Sequence, residues 1–164
     1  MLIIFDLDDT LYDCTGQVIR NPDGTYVHDF ITLFPGVKAF LSQDNFKKVL
    51  VTKGSTELQN RKLNILNINL LFDEIMICDT DSGKESCFQK VLEENSEEKQ
   101  VIVLGDRIDS EIRYGNKLGL KTVLLKQGKY KNLKANDHLE VPDHTFESFE
   151  SFVANFEGLF SCKQ

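Results

Sequence analysis

The sequence predicts a three-layer α/β domain, a parallel sheet with helices on both faces. Three observations carry that prediction. Short apolar runs rich in β-formers recur at Leu2–Phe5, Lys48–Thr52, Glu74–Cys78, Gln100–Leu104 and Lys121–Leu125; each is too short for a helix and suits a strand buried on both faces. Helix-period stripes separate these runs, an alternation that calls for parallel strands and right-handed crossovers. The runs also end in polar or glycine-containing turns, at the carboxyl edge where α/β proteins hold their chemistry. With 164 residues, 41% hydrophobic and 27% charged, one globular domain spanning 1–164 is expected.

The elements follow in order. Leu2–Phe5 is the first strand, and it stops at Asp6-Leu-Asp8-Asp9-Thr10. Asp9 favours a turn there. The stretch 13–34 holds the turn signal Asn21-Pro-Asp-Gly24 between β-leaning residues, so a small hairpin flap is expected over the acidic cluster. Phe34-Pro35-Gly36 opens a helix to about Leu41, with Val37, Phe40 and Leu41 on one face. Lys48–Thr52 forms the next strand and ends at Lys53-Gly54-Ser55. A helix from Thr56 carries Leu58, Leu63, Ile65 and Leu66. Glu74–Cys78 leads into Asp79–Gly83 and a helix whose capping box is read as Ser82 with Glu85, which sets Lys84 in the first turn. Gln100–Leu104 ends at Gly105-Asp106, followed by a helix to about Leu118. After the strand Lys121–Leu125 come a polar loop to Val141, a short strand at His144–Phe146, a helix over 148–156, and a tail at 158–164 that is expected to fray.

Composition narrows the function classes. A net charge of −7 argues against nucleic acid as the default partner, and the basic run Lys126–Lys134 reads as a solvated loop. The four cysteines, at 14, 78, 87 and 162, make no CxxC pair. They imply reduced thiols and a cytoplasmic location. No stretch is long and apolar enough for a membrane span. His28, His138 and His144 show no zinc spacing, and neither a P-loop nor a dinucleotide-binding glycine pattern occurs.

Four polar sites should then meet at one sheet edge: Asp6/Asp8/Thr10, Thr52, Lys84 and Asp106. Clustered carboxylates raise one another's pKa unless a cation compensates them, and a hard divalent ion such as Mg²⁺ suits oxygen ligands. Taken singly, each site has a plainer reading: an acidic capping turn, a strand threonine, a helix-end lysine, a helix N-cap.

Taken in order, the segments Phe5-Asp6-Leu7-Asp8-Asp9-Thr10-Leu11, Val51-Thr52-Lys53-Gly54, Gly83-Lys84 and Gly105-Asp106-Arg107-Ile108-Asp109-Ser110-Glu111 resemble the haloacid dehalogenase superfamily of Mg²⁺-dependent phosphatases. The resemblance covers nearly the whole chain and implies a Rossmann-like sheet. It implies Asp6 as the nucleophile and Asp8 as the general acid and base. Mg²⁺ would be held by Asp6, the Asp8 carbonyl and Asp106. Thr10, Thr52, Lys84 and the backbone near Leu7–Asp8 and Lys53–Gly54 would contact the phosphoryl group. Asp8 would be kept protonated by desolvation and by repulsion from Asp6. A second aspartate is usual in the last motif; Glu111 stands there, with Asp109 near, and either would hold a metal-bound water. Dehalogenases as a group lack an aspartate where Asp8 stands, so phosphoryl transfer is implied. Neither 13–34 nor Asp79–Gly83 has room for a cap domain, which implies an open mouth, a large substrate, or closure by another subunit in a homo-oligomer. The expected substrate is a phosphorylated small molecule or macromolecule, with no nucleic-acid or membrane partner. A non-catalytic phosphate- or protein-binding module, or a phosphotransferase, on the same fold is the competing reading. A receiver domain is not, because Lys84 precedes Asp106.

Overall fold

The computed structural model describes residues 1–160. In chain order its elements are β1 (Leu2–Phe5), α1 (Cys14–Gln17), β2 (Ile19–Arg20), β3 (Tyr26–Val27), α2 (Val37–Leu41), β4 (Lys47–Lys53), α3 (Thr56–Leu66), β5 (Glu74–Cys78), α4 (Asp81–Glu94), β6 (Val101–Gly105), α5 (Arg113–Lys117), β7 (Lys121–Leu125), β8 (His144–Phe146) and α6 (Phe149–Phe160). A six-stranded sheet runs β5-β4-β1-β6-β7-β8, and every neighbouring pair is parallel. β1 lies between β4 and β6. The chain therefore leaves the sheet in both directions from β1, and the resulting crevice at the strands' carboxyl ends is where open α/β sheets bind ligands.

Alternation along β1 divides the core. Ile3 and Phe5 pack on one face against Phe40, Leu63, Phe149 and Phe152, contributed by α2, α3 and α6. Leu2 and Ile4 pack on the other against Phe88 and Val91 of α4. Phe40 is the hub of the first face, with edge-to-face contacts to Phe149, Phe152 and Phe156 at centroid distances of 5.7, 5.4 and 4.9 Å. Such pairs add about 0.5–1.5 kcal/mol each beyond simple burial.

Several boundaries differ from expectation. The capping residue of α4 is Thr80, whose hydroxyl accepts from the Gly83 amide at 3.1 Å; Ser82 and Glu85 lie inside the helix. Lys84 still falls in its first turns. The segment after β6 winds through a π-helical stretch, Ile108–Ile112, before α5. Single π turns of this kind occur often at functional sites. Gly158, expected in a frayed tail, lies in α6, because Phe156 and Phe160 are buried in the phenylalanine core. The rest of that tail, with Cys162, lies outside the described residues. The hairpin is present as the antiparallel pair β2–β3.

Candidate active site

Asp6 leaves β1 with its carboxylate buried at 6% exposure. Lys84 Nζ donates to its Oδ1 at 2.5 Å, and the buried Thr10 hydroxyl donates to Oδ2 at 3.3 Å. Lys84 occupies the core-facing stripe of α4, with Phe88 and Val91 behind it. It also donates to Glu111 Oε1. Burial pushes the Asp6 carboxyl up, Lys84 only partly offsets this, and Glu111 and Asp8 add to it; the result is about 7. Burial works against the Lys84 charge, but Asp6 and Glu111 overcome it and hold the ammonium protonated.

Asp106 follows Gly105 at the end of β6 and is 3% exposed. Burial, then the charges of Glu111, Asp6 and Asp9, push its carboxyl up to about 9, with Lys84 as the only compensation among the leading influences. Two buried carboxylates thus share one lysine beside further acids. This excess of negative charge, built from hard oxygen donors, suits Mg²⁺, which takes one or two carboxylates and completes its shell with water or phosphate oxygens. Among the described residues no three His, Cys, Asp or Glu side chains converge as a self-sufficient metal set. The candidate set is Asp6 and Asp106 with the Asp8 carbonyl, as expected from the sequence.

Glu111 is engaged differently from the expectation. Besides Lys84, its Oε1 accepts from the Ser110 hydroxyl at 3.1 Å, and its Oε2 accepts from the Arg107 amide at 3.2 Å. It clamps Lys84. A side chain on Gly105 would lie 2.5–3.0 Å from Glu111 atoms, so that glycine makes the clamp possible. Asp109 faces the rim instead, where Arg107 donates to both its oxygens at 3.0 and 3.1 Å.

Asp8 shows the largest departure. Its Oδ1 accepts from Lys62 Nζ at 2.8 Å and from the Tyr12 hydroxyl at 2.5 Å. Its Oδ2 accepts from Lys62 at 2.9 Å and from Gln59 Nε2 at 3.2 Å. Burial raises the Asp8 carboxyl, but the Lys62 charge and the hydrogen bonds from Lys62, Tyr12 and Gln59 more than reverse this and hold it below the usual carboxylate range. Asp8 is therefore ionised in the free site, contrary to the expected protonated state. The buried Lys62 supplies a charge that repulsion from Asp6 does not outweigh. Reading α3 for apolar residues alone missed Gln59 and Lys62. They share its buried face with Leu63 and Leu66, and two polar residues on such a face just after a site-bearing strand were the available signal.

Asp6, Asp8, Thr52, Lys53, Lys84, Asp106 and Glu111 all line one cleft of about 180 Å³. Tyr130 and Arg107 form its outer wall, with the guanidinium 4.5 Å from the ring centroid. Lys53 Nζ and Arg107 both pair with Asp81 across the mouth, at 2.9 and 3.2 Å. The side chain of Leu7 is buried in the core. Gly54 is not a free phosphate donor as expected, because its amide donates to the Cys78 carbonyl at 2.9 Å. The flap is tied to the site through Asp9, which accepts from the Thr15 amide and hydroxyl at 2.8 and 2.6 Å. A larger cleft of about 580 Å³ lies at the opposite sheet edge near Gln100 and Lys121, with no comparable gathering of acids.

Residues 83–152 match the HAD-hydrolase-like family model. The chain is 32% identical over 108 residues to the glyceraldehyde 3-phosphate phosphatase of Methanopyrus kandleri, covering 63% of this chain and 46% of that protein. The chain spans about half the length of the curated relatives it matches. Among solved structures, the D,D-heptose 1,7-bisphosphate phosphatase of B. bronchiseptica, complexed with magnesium and phosphate, aligns with a TM-score of 0.70 at 17% identity over 96% of this chain and 99% of that one. The L-2-haloacid dehalogenase of Xanthobacter autotrophicus aligns with a TM-score of 0.68 at 10% identity over 98% and 100%. At such identities the likeness is one of fold. The parallel sheet without a sizeable cap is the fold of these neighbours, and residues 83–152 are similar to HAD-hydrolase-like proteins.

Proposed function

We propose that the chain is a Mg²⁺-dependent phosphomonoester phosphatase that works through an aspartyl-phosphate on Asp6. The observation that carries this is the meeting of Asp6, Asp8, Thr52, Lys84 and Asp106, from four strand or helix ends, in one small cleft. The fold is shared with a dehalogenase, so fold does not choose the chemistry. Asp8 does, because an alkoxide leaving group needs a proton and a halide does not.

A phosphate monoester repels an anionic nucleophile, so catalysis consists chiefly of positioning and charge neutralisation. Mg²⁺, held by Asp6, Asp106 and the Asp8 carbonyl, supplies that neutralisation when bound. Asp6 attacks phosphorus as the bond to the leaving oxygen breaks. Lys84, kept protonated by Asp6 and Glu111, offsets charge on the phosphoryl oxygens, and the Thr52 hydroxyl donates to one of them. Asp8 is ionised at rest. The incoming phosphoryl charge raises its affinity for a proton; Asp8 takes one from solvent as substrate binds and passes it to the leaving oxygen as the P–O bond breaks. The carboxylate form then takes a proton from the water that cleaves the acyl phosphate.

The substrate is a small phosphorylated metabolite, in keeping with the cleft's size and with what the named relatives act on. The site belongs to one hydrolase domain, 1–164, with 13–34 as a flap; neighbouring subunits and a cytoplasmic location remain part of the proposal. No helix among the described residues is long and apolar enough to cross a membrane. Purified protein should hydrolyse p-nitrophenyl phosphate only with Mg²⁺, and Asp6→Asn should abolish it. Magnesium binding without turnover on any phosphoester would refute the proposal and favour a binding module.

A further inference from the structure

We infer that Gln59 is a positioning residue that aims the Thr52 hydroxyl into the cleft and couples it to the Asp8 carboxylate. This rests on the phosphatase reading of the cleft and adds to it a residue outside the four motifs.

Gln59 is fully buried on the core side of α3, a place where leucine would serve packing better and an amide is costly unless paired. Its Nε2 lies 2.8 Å from Thr52 Oγ1, 2.7 Å from the Lys53 carbonyl and 3.2 Å from Asp8 Oδ2. The orientation of the amide follows from these neighbours. A carbonyl and a carboxylate can only accept, so the group facing them must be the donor NH₂ and not Oε1. The NH₂ has two hydrogens. They serve the two short contacts, to the Lys53 carbonyl and to Thr52 Oγ1, while the longer contact to Asp8 shares one of them. Thr52 Oγ1 therefore accepts from Gln59, and its own hydrogen is left to donate elsewhere. Thr52 lines the cleft, so a phosphoryl oxygen is the acceptor on offer there. The same NH₂ group also lies 3.2 Å from Asp8 Oδ2, so one amide bridges the threonine and the carboxylate. Gln59 Oε1 is buried and finds no partner among the described residues, an arrangement that packing alone would not select.

Gly54 fits the same purpose. Its φ of +152° favours glycine, and a Cβ there would stand 3.0–3.2 Å from the Gln59 side chain. The residue after the strand end is small so that the amide can reach Thr52 from below. Lys62, one turn along α3, anchors Asp8 from the same helix.

The test is a double-mutant cycle on the full chain with Mg²⁺, using Gln59→Leu and Thr52→Val singly and together. Gln59→Met, which keeps side-chain length, stands in should the leucine variant fail to fold. Affinity for inorganic phosphate by calorimetry, kcat and KM for p-nitrophenyl phosphate, and the melting temperature are read for each. Each single variant should weaken phosphate affinity about tenfold, the size of one well-placed hydrogen bond, with kcat falling alongside. The double variant should be no worse than Thr52→Val alone, since Gln59 acts through that hydroxyl. Losses that multiply to about a hundredfold would overturn the inference, as would a Gln59 variant that melts lower yet binds phosphate normally. If the wild type binds phosphate but turns nothing over, the phosphatase reading fails and the cycle is decided on phosphate affinity alone. If it binds no phosphate, both fail.

Discussion

Magnesium binding should depend steeply on pH, by an amount that the site's electrostatics set. Without metal, the carboxyls of Asp6 and Asp106 are pushed up to about 7 and about 9, and both must lose protons to ligate. Between pH 9 and 7 one proton is displaced, so affinity falls tenfold per unit; below pH 7 two are displaced and it falls a hundredfold. From pH 8 to pH 6 the loss is about a thousandfold, or about 4 kcal/mol. At a Mg²⁺ concentration a hundred times its dissociation constant at pH 8, stabilisation is about 2.7 kcal/mol, which raises the melting temperature by about 5–11 °C for a chain of this size. The same concentration at pH 6 lies about tenfold below the dissociation constant and stabilises by under ~0.1 kcal/mol. In the metal-free protein the sign runs with the protons. Acids whose folded pKa is raised bind protons more tightly when folded, so their contribution to stability is full below about pH 4 and is lost as pH rises through about 7 and then about 9. Thermal melts with EDTA and with Mg²⁺ at pH 6, 7 and 8 measure both effects. A Mg²⁺-induced rise of equal size at pH 6 and pH 8 would refute the reasoning, as would an Asp106→Asn variant with an unchanged response.

Other outcomes follow from single contacts. Asp8→Asn should slow unactivated alkyl phosphates about 10²–10⁴-fold, the worth of a general acid, while p-nitrophenyl phosphate loses less; equal losses would count against the acid role. Lys84→Met leaves two buried acids uncompensated and should cost about 3–5 kcal/mol in metal-free denaturant unfolding, with part recovered by Mg²⁺. Gly105→Ala drives a methyl into Glu111 and should cost about 1–3 kcal/mol, together with most of kcat, measured by urea unfolding and steady-state assay.

How much of this could be read in advance depends on what each residue's neighbours in sequence reveal. The strands were legible because Leu2–Phe5 and Val101–Gly105 are buried on both faces and carry unbroken apolar runs. Asp6, Thr52 and Asp106 were legible because each sits where such a run stops. Lys84 was legible through its place at a helix start, although its cap is Thr80. Asp8's ionised state was not, because Lys62, Gln59 and Tyr12 reach it from parts of the chain whose local pattern is that of an ordinary amphipathic helix and a buried turn. Glu111 could be placed near the last motif, but its grip on Lys84 depends on a π-helical turn that no local spacing announces. Gly54 looked like a phosphate loop; its amide is taken by Cys78, a partner visible only once β4 and β5 are paired.

The central claim is that Asp6 carries the phosphoryl group, and acid-quenched mass spectrometry of the Asp8→Asn variant with Mg²⁺ and p-nitrophenyl phosphate tests it most directly. The account predicts one added phosphoryl group on the fragment containing Asp6, cleaved by hydroxylamine and absent from Asp6→Asn. Turnover with an unmodified Asp6, or a phosphoryl group found on another residue, would contradict it.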